Sequence, residues 1–212
     1  MTALSLISSN LGSVTSAPIS VGPRPAVDVA FPAASDVIEA TLAKVPDQAW
    51  ERRSPCGNWT VRDIAGHVVG TMIEIAAIAR LKPFSRDSAP PGRDAADDPV
   101  DAMHAVSGPA RDAVRSADLG QPTDAMHGRR TVAEALAFPI ADLAVHAWDI
   151  AHATQQQLQL PDVLLARVVH TCAQVPEEVL RGPGLFGPAQ AAPDDADDTT
   201  RLIACSVVTP AR

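Results

Sequence analysis

The sequence predicts an all-α protein, an antiparallel bundle of four or five helices with a short extra element at its C-terminal end. Three observations predict it. Hydrophobic residues make up 46% of the 212 positions while aromatics make up only 3%, with no Tyr. The core must then be built from Ala, Val, Leu and Ile, and Ala and Leu are strong helix formers. Apolar residues recur at helical spacing in successive segments, and the connections between them are of modest length, as in bundles of antiparallel neighbours.

The elements follow in order. Residues 1–26 are rich in Ser, Pro and Gly without periodicity and read as a flexible arm. Residues 27–212 read as one helical domain. A first helix is expected from about Ala33 to Ala43, with Val37, Ile38, Leu42 and Val45 on one face and Pro46 ending it. A second starts at Val61. Thr60 supplies its N-cap and Asp63 completes a capping box. Ile64, Val68, Met72, Ile75 and Ile78 then repeat over about five turns. Residues 83–98 form a loop by composition. A third helix covers Pro99 to Ala117, with Met103, Val106, Ala110 and Val114 inward. The linker LGQPTDAMHGRR holds an irregular turn or a short strand. A fourth helix runs from Thr131, capped with Glu134, to about Gln156, with a kink at Pro139. A fifth runs from Asp162 to Leu180, and a Pro/Asp-rich turn precedes a last short apolar element.

The formal charge of −8 argues against a nucleic-acid partner, which calls for a basic stripe, and against an anionic membrane surface. Cys56, Cys172 and Cys205 are odd in number and widely spaced, which fits a reducing cytoplasm rather than a disulfide framework. The N-terminal stretch lacks a basic region and is expected to be neither signal peptide nor anchor. No apolar run reaches the roughly 18 residues that a membrane-spanning helix needs.

One stretch does not fit a purely structural helix. Residues 142–153, DLAVHAWDIAHA, carry Asp142, His146, Asp149 and His152 in an apolar context. Asp142 and His146 are four apart and share a face. With His67 of the second helix they give two imidazoles and a carboxylate. Three such ligands leave zinc a fourth, open position, and the same set accepts non-haem iron or nickel. The spacing suits an ordinary polar pair equally well. Asp63, four before His67, is better explained as a cap. Asp149 shares the His146 face and reads as a hydrogen-bond partner, a surface charge or an indole contact. His152 points away, and His104, His127 and His170 have no spacing partner. Cys56 reads as a small buried residue rather than a reactive thiol.

Four stretches in order, PCGNWTVRDIAGHVVG (55–70), DLAVHAWDIAHAT (142–154), LFGPAQAAPDDA (185–196) and the terminal RLIACSVVTPAR, resemble the DinB-like metal-binding domain of the mycothiol-dependent maleylpyruvate isomerase family of actinobacteria. The resemblance spans roughly residues 30 to 212. It implies a DinB-like four-helix bundle holding one divalent metal, zinc foremost, with His67, Asp142 and His146 as ligands. The family has a carboxylate or a histidine at the position of Asp142, and the isomerase that gives it its name is similar but with Glu there. A Gly often follows the segment ending at Thr154, where this chain has Gln155, and the tail departs from the usual Gly-Arg-x-Pro. The second domain of the isomerase is not expected here.

The chemistry implied by the resemblance is a mycothiol-dependent thiol S-transferase or isomerase-like reaction on a small electrophile. A free thiol has a pKa of about 8.5 and is mostly protonated at neutral pH; coordination to a divalent cation deprotonates it. Trp59 and Arg62 would line the cofactor entrance. The expected partners are a small-molecule thiol and an electrophilic substrate, and a homodimer is a compatible assembly. The rival reading is a non-catalytic metal-binding or partner-binding bundle, and solvent access to the ligand cluster discriminates between the two.

Overall fold

A computed structural model describes residue 19 and residues 21–84, 97–125, 128–180 and 192–206. Most of the arm expected at 1–26, most of the 83–98 loop, His127 and the side chain of Cys205 lie outside the described residues. In chain order the elements are α1 (Val27–Leu42), a 3-10 turn (Asp47–Ala49), α2 (Val61–Ala79) and α3 (Pro99–Ser116). A hairpin of β1 (Pro122–Ala125) and β2 (Gly128–Thr131) follows, then α4 (Val132–Ala135) and α5 (Ala137–Ala153). The chain continues through α6 (Asp162–Cys172), α7 (Glu177–Leu180) and α8 (Asp198–Ser206).

Helices α1, α3, α2 and α5 close a ring. Helix α3 packs on α1 and α2, and α5 packs on the same two from the other side. This is the antiparallel bundle that the periodicity predicts, with the four helices that the resemblance implies. Helix α6 leans on α1 and α5 outside the ring, and α8 covers α6. The centre is aliphatic, as the composition requires: Ile38 and Leu42 from α1, Ile64 and Met72 from α2, and Leu143 and Ile150 from α5 are fully buried. Both capping boxes form, Thr60 with Asp63 at α2 and Thr131 with Glu134 at α4. They set where α2 and α4 start.

The helix boundaries differ from expectation in three places, each for a backbone reason. Helix α1 begins at Val27, six residues early, because Val27, Ala30, Phe31 and Ala34 already form a buried face. Pro32 sits inside it on the exposed side, where the Asp28 carbonyl it leaves unpaired also faces outward. The expected fourth helix is split at Leu136 into α4 and α5, because Pro139 has no N–H to return to Ala135. The expected fifth helix stops at Cys172 and resumes as α7 after Pro176, which for the same reason cannot continue it. The linker after α3 is a two-stranded antiparallel hairpin, pairing Pro122 with Thr131.

Helix α5 ends with Gln155 in the left-handed region, at φ 60°. The Gln156 N–H bonds the Ala151 carbonyl at 2.8 Å, which closes a Schellman turn. Glycine is the residue that takes this conformation without steric cost, so Gln155 is strained there. Gln155→Gly is expected to raise unfolding stability by about 0.5–1 kcal/mol, the released strain exceeding the added unfolded-chain entropy. Urea unfolding of the two proteins measures it, and an unchanged or lower midpoint contradicts it.

Between α1 and α3 lies a polar cluster. Arg111 bonds Asp36 at 2.6 Å and Glu39 at 2.8 Å, while Ser35 and Ser107 donate to Glu39 at 2.8 and 3.1 Å. Burial works to raise the Glu39 pKa, but the hydrogen bonds from Arg111, Ser35 and Ser107 outweigh it and hold the carboxyl below its ordinary 4.5. A carboxyl depressed in the folded state stabilises above its unfolded pKa and loses that contribution as pH falls through its folded pKa. The unfolding midpoint should therefore drop between pH 5 and pH 3 less steeply in Glu39→Gln than in the parent chain. Parallel slopes would contradict the coupling.

Candidate metal centre

The site is built where α2 and α5 face each other. The phase of α2 is fixed at its start: the Thr60 hydroxyl accepts the Asp63 N–H at 3.2 Å, and the Asp63 carboxylate accepts the Thr60 N–H at 2.8 Å. Asp63 is therefore the cap the sequence suggests. Two turns on, His67 faces α5 and its Nε2 lies 2.9 Å from Asp142 Oδ2. On α5, His146 stands one turn after Asp142, and its Nε2 lies 3.4 Å from Asp142 Oδ1. The carboxylate thus sits between two imidazoles contributed by two helices. The Thr71 hydroxyl, one turn beyond His67, donates to Asp142 Oδ2 at 3.1 Å.

The donor atoms of His67, Asp142 and His146 all lie within 4.8 Å of one another. Two imidazole nitrogens and a carboxylate oxygen are a donor set that zinc, iron and nickel accept, so the residues present fit a divalent cation. The cluster is graded in exposure: the His67 and Asp142 side chains are 18% and 20% exposed, and His146 is 7% exposed. Its outer edge reaches solvent and its inner edge does not.

The charges of the cluster hold one another. Burial works to raise the Asp142 pKa, but the His67 and His146 rings beside it outweigh burial and hold the carboxyl well below its usual range. Burial works to lower the His146 pKa, yet the charges and hydrogen bonds of Asp142 and Asp149 lift it to about 10.

Behind His146 lies a second group. The His146 Nδ1 is 2.9 Å from Asp149 Oδ2, and the Cys56 Sγ lies within 4.8 Å of ligand atoms of both residues. All three are buried. Cys56 arrives from the loop before α2. There Gly57 adopts φ 61°, and the Ser54 N–H bonds the Trp59 carbonyl at 2.9 Å. The same loop lays the half-buried Trp59 indole against both imidazoles, with ring centroids 5.1 Å from His67 and 6.1 Å from His146. Trp59 therefore joins the cluster.

Arg62 is placed differently. It lies roughly 140° around α2 from His67, five residues on at 3.6 per turn. Its guanidinium bonds Glu51 at 2.9 Å and stands 5.8 Å from the Trp50 ring centre. His152 is exposed and stacks on Trp148, and His104 is exposed on α3. His170 lies 3.0 Å from the Gly22 carbonyl. Thr71 and Cys56 were not linked to the site by sequence reasoning. The i, i+4 spacing from His67 is a weak signal for Thr71, and no spacing signals Cys56.

A bundle of four helices with a His–Asp–His cluster between two of them defines the class of protein. The particular family follows from comparison. Residues 31–151 match the family model of the mycothiol maleylpyruvate isomerase N-terminal domain, and the chain belongs to that family. The uncharacterized protein Rv0738 of Mycobacterium tuberculosis strain ATCC 25618 / H37Rv is 31% identical over 156 residues, 71% of this chain and 80% of the relative. The uncharacterized protein MT0763 of strain CDC 1551 / Oshkosh matches over the same span at the same identity. Among solved structures, the crystal structure of the mycothiol-dependent maleylpyruvate isomerase superposes with a TM-score of 0.56 at 14% identity. A point mutant of that enzyme superposes with a TM-score of 0.54 at 13% identity. Each superposition covers 66% of this chain and 65% of the other, so the chain matches just under two thirds of the isomerase's length.

Burial pushes the Cys56 thiol up to about 12, and the nearby Asp149 and Asp142 charges add to the shift. A thiol held there is almost wholly protonated at pH 8 and inert as a nucleophile. Iodoacetamide at pH 8 should label Cys56 about two orders of magnitude more slowly in the folded protein than in urea. Labelling at the free-thiol rate, read by peptide mass mapping, would make it a reactive cysteine instead.

Proposed function

We propose that this protein is a divalent-metal-dependent thiol S-transferase or isomerase-like enzyme. In this reading it joins mycothiol to, or rearranges through mycothiol, a small electrophile. One observation carries the reading. Donor atoms from two helices converge within 4.8 Å at a cluster whose outer edge, His67 and Asp142, is open to solvent. His67, Asp142 and His146 would hold the cation, with zinc foremost and nickel or iron compatible with the same donors. When bound, a divalent cation supplies one thing this chain cannot make alone, a thiol pKa lowered enough to give thiolate at neutral pH.

The remaining work falls to the chain's own residues. Trp59, laid against both imidazoles, walls the cluster with an apolar face and restricts water there. Thr71 holds the Asp142 carboxylate from the α2 side. Arg62 is engaged by Glu51 and Trp50, so a direct contact with the thiol would require it to leave Glu51. Among the described residues no helix is long and apolar enough to cross a membrane. The solved isomerase is mycothiol-dependent, and that thiol and its activity enter here as a proposal.

The alternative, a non-catalytic metal-binding or partner-binding bundle, would be favoured by a fully enclosed cluster, and the exposure of His67 and Asp142 counts against it. The test uses the full chain without a histidine tag. Bound zinc, nickel, iron and manganese are quantified in the parent protein and in His146→Ala, and conjugation of mycothiol to monochlorobimane is followed in both. One metal per chain, lost in the variant together with thiol turnover, is the expected result. Metal without turnover moves the weight to the non-catalytic reading, and a parent chain without metal removes the proposed centre.

A further inference from the structure

We infer that Asp149 is a positioning residue for the metal centre. It accepts the Nδ1–H of His146 and thereby fixes that imidazole with Nε2 turned toward His67 and Asp142. The inference rests on the metal-centre reading above and adds a role for a residue outside the ligand set.

The geometry is specific. His146 and Asp149 are three apart on α5 and share a face, with Nδ1 and Oδ2 2.9 Å apart. The opposite ring nitrogen, Nε2, is 3.4 Å from Asp142 Oδ1. The imidazole is thus held between two carboxylates, one on each side. With Nδ1–H given to Asp149, the neutral ring has its lone pair on Nε2, and that atom faces the other two donors. Trp59 lies nearly parallel to the ring, at 28°, and limits its tilt. A ring turned over about its Cβ–Cγ bond would lose the Asp149 bond and point carbon at the cluster.

Burial supplies a second argument. The Asp149 side chain is 6% exposed in the interior of an apolar helix. An aspartate there is a poor helix former and costly to desolvate unless its charge is used. Its bond to His146 compensates that cost. Carboxylates that accept the second ring N–H of a ligating histidine orient the ring and raise its basicity as a ligand.

A competing arrangement shares these atoms. Cys56, His146 and Asp149 also lie within 4.8 Å of one another and could take a second cation, with His146 bridging two ions through its two nitrogens. The direct 2.9 Å contact between Nδ1 and Asp149 favours a proton at Nδ1. The two arrangements differ in stoichiometry.

The experiment measures zinc affinity by chelator competition in the full chain, in Asp149→Asn and in Asp149→Ala. The zinc-loaded proteins are also examined by long-range nitrogen–proton NMR of the histidine rings. Loss of the carboxylate in Asp149→Ala should weaken zinc binding about 10- to 100-fold. Asp149→Asn, which keeps an acceptor oxygen and the volume, should lose less and retain a slowly exchanging His146 Nδ1–H. That partial rescue is what a merely structural role would not give, and Asp149→Asn carries the test alone if the alanine variant fails to fold. Unchanged affinity and unchanged Nδ1–H exchange in both variants would overturn the inference and leave the metal centre standing. A second zinc per chain, lost in Cys56→Ser, would also overturn it by placing a metal at Nδ1. A parent chain that binds no zinc would overturn the metal centre itself and the inference with it.

Discussion

A single carboxylate shared by two imidazoles joins the two halves of the molecule. Asp142 on α5 meets His67 on α2 at 2.9 Å and its helical neighbour His146 at 3.4 Å. Everything nearby serves to bring these groups together. The Thr60–Asp63 box fixes where α2 starts and so which way His67 faces. The loop before α2 lays Trp59 against the rings and Cys56 behind them. Pro139, in the first turn of α5, has no N–H to return to Ala135, so that α5 runs as a helix separate from α4, with Asp142 in its second turn.

This arrangement is a poor way to stabilise a bundle. Ionised groups withdrawn from water repay their desolvation only with good geometry and complete hydrogen bonding, and apolar residues of similar volume often do as well. The stability of this protein resides in its aliphatic core, where Leu, Ile and Val side chains from α1, α2, α3 and α5 interdigitate. A polar cluster beside such a core adds little to its stability, and its convergent donors with a partly exposed edge are the arrangement on which the proposed metal centre rests.

Much of the fold was legible in the sequence, because its signals are local. The 3.6-residue recurrence from Ile64 to Ile75 gave α2, and Thr60 with Asp63 gave its start. Prolines were harder to read. The first helix is expected only from Ala33, yet on an exposed face the donor that Pro32 lacks is a tolerated loss and the buried face of α1 carries the helix through it. The strands of the hairpin are too short to leave a period. At the site, the Asp142–His146 spacing was visible, but His67 is 75 residues from Asp142 and no periodicity could join them; their pairing is a property of the packed bundle. The approach of Cys56 to Asp149 is tertiary in the same way, and only the shared face of Asp149 and His146 was local.

The shorter carboxylate at position 142 bears on how such a site tolerates change. An aspartate lacks one methylene of a glutamate, and on side-chain length alone it falls short of a histidine on the facing helix. Here it does not, since Asp142 already touches both rings. The Thr71 hydroxyl then occupies the side of Asp142 that faces α2, which fixes the carboxylate in the orientation that serves both imidazoles. A longer acid at 142 would meet the same rings crowded, so side-chain length at 142 and the position of His67 across from it are coupled choices.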